Sequence, residues 1–267
     1  MADDIGPILR KWHYSANDMN VRLIQGEDGR QKLQLRLDLG LLQMELDGRP
    51  DGRRPHHFES YYSYYLHKSR LAKKEGARSL NLTPFDCWLL QQEAIQLYHR
   101  YVALMRLGDF GRVLRDTKRN LKLFDFVSSH SSNETIIWSF EQYRPYVIMM
   151  NTRAAVSQCM EFQDYDKALE QIRKGRSRLR RFYRMHGEKA GDERVELELL
   201  QEWAVEIRSK RPISDRDQLA RELRRAVRSE DYERAALLRD MIFELEKSIN
   251  PVKSESGFNS AQEEDNP

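Results

Sequence analysis

The chain has 267 residues, enough for one sizeable domain or two small ones, and 40% of them are apolar, which is sufficient for a core. Its 45 basic and 42 acidic residues leave a net charge of +3, too small to demand a nucleic-acid partner. Nowhere do about 18 apolar residues run together, and MADDIGPILRKW lacks a long apolar core after a basic start, so neither membrane spanning nor secretion is expected. Cys87 and Cys159 lie far apart amid apolar helical patterns and read as buried free thiols, which fits a reducing, cytoplasmic setting.

From Val21 to Leu46 the apolar period is two. VRLIQ, the turn Gly26-Glu27-Asp28-Gly29, and KLQLRLDL with Leu33, Leu35, Leu37 and Leu39 on one face predict a β-hairpin. Leu42, Met44 and Leu46 continue the alternation after Gly40, so a third antiparallel strand follows, ending at the turn-rich DGRPDGRRP. Such a sheet is marginal until its apolar face is covered, and the helices that follow are the available cover. Phe58 to Glu75 reads as a helix carrying Tyr61, Tyr62, Tyr64 and Tyr65, with Tyr61 and Tyr65 sharing a face for packing. Thr83-Pro84 opens a long helix that stops at Gly108. Further helices are expected over Phe110 to Phe126, over Ser139 to Phe162 with Pro145 in its first turns, over Tyr165 to His186 and over Glu193 to Lys210, with a polar loop from Ser128 to Asn133.

One short pattern recurs three times: Asp109-Phe110-Gly111-Arg112-Val113-Leu114, Asp164-Tyr165-Asp166-Lys167-Ala168-Leu169 and Asp231-Tyr232-Glu233-Arg234-Ala235-Ala236. In each the Asp is placed to cap a second helix, the aromatic to wedge against the helix before it, and the small residue to permit a close crossing. The pattern resembles the turn of tetratricopeptide repeats. The spacings of 55 and 67 residues depart from that family's regular period, so repeat-like hairpins are expected, not a regular solenoid.

The last of these turns sits inside SDRDQLARELRRAVRSEDYERAALLRDMIFELEKSI, Ser214 to Ile249. Ser214 and Asp217 offer a capping-box-like start, and Leu219, Leu223, Ala226 and Val227 recur at helical spacing. Ser229, Glu230 and Asp231 interrupt that helix. Tyr232, Ala235, Ala236, Leu238, Arg239, Ile242 and Leu245 carry a second one, and two short helices joined this tightly pack antiparallel. The run Glu230, Asp231, Tyr232, Glu233, Ala235, Ala236, Leu238, Arg239, Asp240, Ile242 and Leu245, preceded by Leu219, Leu223 and Ala226, resembles the UVR domain, the UvrB/UvrC motif of bacterial excision-repair and stress-response proteins. The resemblance implies a protein-docking element whose partner carries a similar hairpin or is a second copy. It implies for Tyr232, Ala235, Leu238 and Ile242 packing or docking, and for Glu230, Glu233 and Arg239 polar specificity around them. From Asn250 the composition turns polar and a disordered tail is expected.

Candidate chemistry elsewhere is thin. DGRPDG places Asp47, Asp51 and Arg49 beside flexible glycines and near Glu45, Arg53 and Arg54, a pattern that could bind a metal or a phosphate, or with Glu45 serve an enzyme, but that an ordinary turn also requires and no nucleophile or base accompanies. The histidines form no ligand set, no GxxxxGK[ST] phosphate loop occurs, and no cofactor, metal or catalytic residue is expected. Arg173, Arg176, Arg180 and Arg184 fall on one helix face with Arg181 alongside, a surface able to contact phosphates or simply to be solvated. A second arginine set, Arg221, Arg224, Arg225 and Arg228, decorates the terminal hairpin.

The expectation is therefore a mainly α (α+β) cytoplasmic chain. A small N-terminal antiparallel β-sheet region occupies 1–57, tetratricopeptide-like helical hairpins 58–210, a UVR-like helical hairpin 212–249 and a tail 250–267. A non-enzymatic interaction or adaptor function is expected, linked through the resemblance to DNA repair or protein quality control. The alternative is nucleic-acid binding through the Arg173 to Arg184 face.

Overall fold

Leu33 and Leu35 alternate with Lys32, Gln34 and Arg36, and in the computed structural model, which describes residues 4–76, 80–190, 194–212 and 215–249, they lie at the centre of a sheet. Strands β1 (Val21–Gln25), β2 (Gln31–Arg36) and β3 (Leu41–Glu45) pair antiparallel in chain order. The register sets Leu23 against Leu33 against Met44, and Val21 against Leu35 against Leu42. Leu33, Leu35, Met44 and Leu46 are buried. Leu37 and Leu39 do not extend this face as expected. β2 ends at Arg36, the Leu37 N–H donates to the Gly40 carbonyl at 2.8 Å, and Leu39 is left exposed in the turn.

The polar face of the sheet has its own ties. Gln34 donates to Gln43 and Arg22 to Gln34, each at 2.9 Å, while the Arg22 guanidinium lies 4.0 Å from the centre of the Trp12 ring. Trp12 follows a six-residue helix, α1 (Gly6–Lys11), too short to have shown a period in the sequence.

Helix α2 (Tyr61–Lys74) begins later than Phe58 because a 3-10 turn, Pro55–His57, precedes it and Ser60 caps it, accepting from the Ser63 N–H at 3.0 Å. Helix α3 (Pro84–Leu107) begins with a full capping box between Thr83 and Asp86 and ends at left-handed Gly108. Helix α4 (Phe110–His130) then runs through Ser128 to His130, where a loop was expected. His130 holds that last turn in place: its Nε2 lies 2.8 Å from the Ser69 hydroxyl, its ring stacks on Phe126, and its carbonyl accepts from Leu82.

The single helix expected from Ser139 to Phe162 is two, α5 (Glu134–Glu141) and α6 (Arg144–Glu161). Pro145 lies in the first turn of α6, and a ring there cannot donate to, and clashes with, the carbonyl four residues earlier, so the two helices cannot be continuous. Helices α7 (Tyr165–Ala190) and α8 (Val195–Lys210) follow. Gly175 lets α6 and α7 meet closely, since a Cβ there would lie 2.2 Å from Thr152 Oγ1. Glu193 lies outside the described residues, so the expected start of α8 there is not placed.

The α3/α4 and α6/α7 junctions share one geometry. Gly108 and Gln163 are left-handed, with φ of 78° and 55°. The N–H of the next residue donates back to the helix just ended, Asp109 to Leu104 at 3.0 Å and Asp164 to Cys159 at 2.9 Å. The same two aspartates accept from Arg112 and Lys167 N–H groups, at 3.0 and 3.1 Å, and so cap the helix that begins. Val113 and Ala168, the small residues of the motif, are fully buried where the helices cross.

The strongest polar tie lies between α3 and α4. Arg100 and Asp116 are both 0% exposed and meet side-on, Nε to Oδ2 at 2.7 Å and Nη2 to Oδ1 at 2.9 Å. Arg100 Nη1 also donates to the Glu45 carbonyl at 3.0 Å, fastening the end of β3. The chain divides into two compact units, one reaching Ser209 and holding these elements, the other starting at Lys210.

Asp116→Ala should cost about 3–5 kcal/mol in urea denaturation, because it strands a buried guanidinium. Asp109→Ala, which removes a cap at a half-buried site, should cost only about 1 kcal/mol. Equal losses at the two sites would show that the Arg100 pair is not the dominant tie.

Candidate functional site

The second unit is a helical hairpin of α9 (Asp215–Arg228) and α10 (Tyr232–Ile249). Its turn repeats the earlier geometry: Glu230 is left-handed with φ of 59°, Asp231 N–H donates to the Ala226 carbonyl at 2.9 Å, and Asp231 Oδ1 accepts from the Arg234 N–H at 3.1 Å. Ser229 adds a hydroxyl bond to the Arg225 carbonyl at 3.1 Å. Ser214, expected to start the capping box, lies outside the described residues, as does the tail from Asn250. Asp217 instead pairs with Arg211 at 3.3 Å.

Inside the hairpin Ala226, Ala235 and Leu238 are buried, with Leu219 and Leu223 packed against them. Ala235 and Leu238 are therefore used up in holding α10 to α9, and Ile242 is half-buried. Glu230, Tyr232, Glu233 and Arg239 are exposed, Tyr232 at 67%, and Arg239 lies 3.0 Å from Asp240. Not expected from the sequence were the apolar side chains of α10 that remain outside, Leu237 at 67%, Phe243 at 66% and Met241; and on α9 Val227, expected on the packed face with Leu219, Leu223 and Ala226, is exposed instead. At 100° per residue, Tyr232, Ala236 and Phe243 form a strip on one flank of the buried positions, and Leu237 and Met241 a strip on the other. Period alone gave no means of telling inner from outer strips.

The arginine face is present on α7. Arg173, Arg180, Arg181 and Arg184 are exposed and Arg176 is half-buried. It is not uniform: Arg181 lines a pocket with Arg144 and Arg178, whereas Arg173, Arg176 and Arg180 line another with Arg208 of α8, a contributor the sequence did not suggest.

DGRPDG is a turn with left-handed Gly48 and Gly52, and its charges are engaged. Asp47 pairs with Arg115 and, at 3.5 Å, with Arg112; Asp51 pairs with Arg49 at 2.6 Å; Arg49 reaches the buried Glu93 at 3.3 Å; Glu45 pairs with Lys32. Glu93 also accepts from the Tyr61 and Tyr62 N–H groups at 2.8 and 3.3 Å, closing the start of α2. Burial alone raises the carboxyls of Asp47, Asp51 and Asp86. Hydrogen bonds from Arg115, from Arg49 and from Tyr65 and Thr83 outweigh it, leaving all three below the ordinary carboxylate range. The tyrosines of α2 are packing groups: Tyr65 bonds Asp86, Tyr64 stacks on His56, Tyr62 meets Phe126 edge-on and Tyr61 lies under Arg49. Among the described residues no cluster of three or more His, Cys, Asp or Glu side chains is placed to hold a metal ion, and no helix is long and apolar enough to cross a membrane. Cys87 and Cys159 are free thiols.

The UVR family model, described as the UvrB/uvrC motif, matches residues 216–248, so the terminal hairpin carries that motif. The chain finds no match among curated proteins or solved structures.

Because the carboxyls of Asp47, Asp51 and Asp86 are lower in the folded state, their stabilisation is complete above the unfolded carboxylate value near 4 and is lost as pH falls through their folded values. The melting temperature should hold from neutral pH to about 4 and decline below it, and Asp51→Asn should flatten that decline. In the hairpin, Leu238→Ala should speed amide exchange throughout α9 and α10, whereas Leu237→Ala should leave exchange nearly unchanged.

Proposed function

We propose that the chain is a non-enzymatic interaction or adaptor protein that docks through the hairpin of α9 and α10. The observation that carries this reading is the division of apolar residues on α10. Ala235 and Leu238 are buried in the hairpin, while Tyr232, Leu237, Met241 and Phe243 are each more than half exposed. Two exposed apolar strips flanking the buried seam, one carrying the aromatic rings and parted from the other by Glu233 and Asp240, have the composition of docking surfaces, with aromatic anchors beside charged edges.

The natural complement is another amphipathic hairpin, since two such units together close a four-helix bundle that neither completes alone. That partner is a UVR-bearing protein or a second copy of this chain. The motif supports a link to DNA repair or protein quality control, and a cytoplasmic setting accords with the two free thiols.

Sedimentation of the purified chain separates self-association from a foreign partner, and capture with and without residues 215–249 identifies the latter. Tyr232→Ala and Phe243→Ala should each weaken the complex at least tenfold, about 1.4 kcal/mol, with the hairpin still folded. Partners retained in full after deletion of the hairpin would refute docking through it.

A further inference from the structure

Elsewhere in the first unit, arginines drawn into the fold have acceptors: Arg49 meets Asp51 and Glu93, Arg100 meets Asp116, Arg115 meets Asp47 and Asp116, Arg144 meets Glu141 and Asp125, and buried Arg36 donates to the carbonyls of Trp12 and Gly40. Between α7 and α8 that pattern breaks. Arg176 and Arg180, one turn apart on α7, and Arg208, in the last turn of α8, line one pocket of about 480 Å³, and no ion pair involves any of the three among the described residues. Arg176 Nε is shut off from solvent and has no acceptor. Burial, together with the charges of Arg180 and Arg208, pushes Arg176 below the usual guanidinium range. Three like charges gathered over an apolar floor of Leu169, Ile172 and Ala204 repel one another, and a donor is left unmet in their midst.

We infer that this pocket binds a compact oxyanion, a phosphate ion or the phosphate group of a small phosphomonoester, held by Arg176, Arg180 and Arg208. Planar guanidinium forks match the oxygens of a phosphate, and a single anion bridging the three cations would replace their repulsion with charge-assisted hydrogen bonds. Its small size follows from the rest of the lining. Asp166 and Glu170 face the same pocket, where they would repel a polyanionic strand continuing past the arginines. Arg173 at that end is already shared with Glu170, at 4.0 Å, and Glu170 with Lys174, at 2.8 Å. The site is independent of the hairpin, so its failure would leave the docking reading untouched.

The test is titration of the full chain with inorganic phosphate, and separately with glycerol phosphate, against sodium chloride at equal ionic strength, following the Arg176 Nε–Hε resonance and the melting temperature. Saturable movement of that resonance is expected, with affinity at least tenfold weaker in Arg176→Gln and in Arg208→Gln and unchanged in Arg70→Gln. Tighter binding of glycerol phosphate than of phosphate would assign the monoester, and the reverse the free ion. Without phosphate at low salt, both pocket variants should melt at or above the parent temperature, because each removes a repelling charge; a purely structural arginine would lower it. No saturable response to either probe, or equal affinity in the pocket variants, would overturn the proposal. So would binding of a single-stranded oligonucleotide alone that depends as much on Arg184 as on Arg176.

Discussion

Three helical hairpins in this chain rest on one turn, a left-handed residue followed by an aspartate. The left-handed residue reverses the chain, the aspartate N–H closes the helix that ends, and the aspartate carboxylate opens the helix that begins. With so few residues between them the helices have no freedom but to lie antiparallel, and the residue four places after the aspartate then falls at their crossing. That residue is Val113, Ala168 or Ala235, each buried, because a larger side chain would push the helices apart. Gly108 suits the left-handed position; Gln163 and Glu230 hold it against the steric preference of a side chain, which shows how strongly the flanking hydrogen bonds determine the turn.

Around these hairpins the first unit is organised by neutralisation of buried charge. Arg100 and Asp116 neutralise each other at the α3/α4 crossing and carry the sheet with them through the Glu45 carbonyl. Glu93 serves at once as the anion for Arg49 and as the acceptor for two N–H groups at the start of α2. The densest charged stretch of the N-terminal half is thus scaffold: each carboxylate of Glu45, Asp47 and Asp51 is engaged by a cation of the same unit. Against that background three arginines, Arg176, Arg180 and Arg208, that share a pocket without an ion pair among the described residues are conspicuous, and the α7/α8 pocket stands apart for that reason.

Local chemistry made much of this readable in the sequence. Strand alternation, Thr83-Pro84 with Gly108, and the three aspartate turns each involve residues within a few positions of one another, where backbone preference decides the outcome. What escaped was what tertiary contact decides. The last turn of α4 persists because His130 finds Ser69, and α5 separates from α6 because of where Pro145 falls within its helix. Likewise Arg208 lies far along the chain from Arg176, and only the packing of α8 on α7 brings them to one pocket.

The hairpin shows the same limit in its sharpest form. A helix needs an apolar arc of about 100° to pack against one neighbour, and Ala235, Leu238 and Ile242 supply it. Tyr232, Ala236 and Phe243 extend the apolar arc on one side, and Leu237 and Met241 on the other, so α10 carries more apolar surface than α9 can cover. On α9 the outward positions are instead Arg221, Arg224, Arg225 and Arg228, all exposed. The excess therefore belongs to one helix of the pair. Both outermost faces are charged, by these arginines on α9 and by Glu233, Asp240 and Glu244 on α10, so the surplus apolar surface lies in the two strips between the buried seam and the charged ridge of α10, where another apolar surface can cover it.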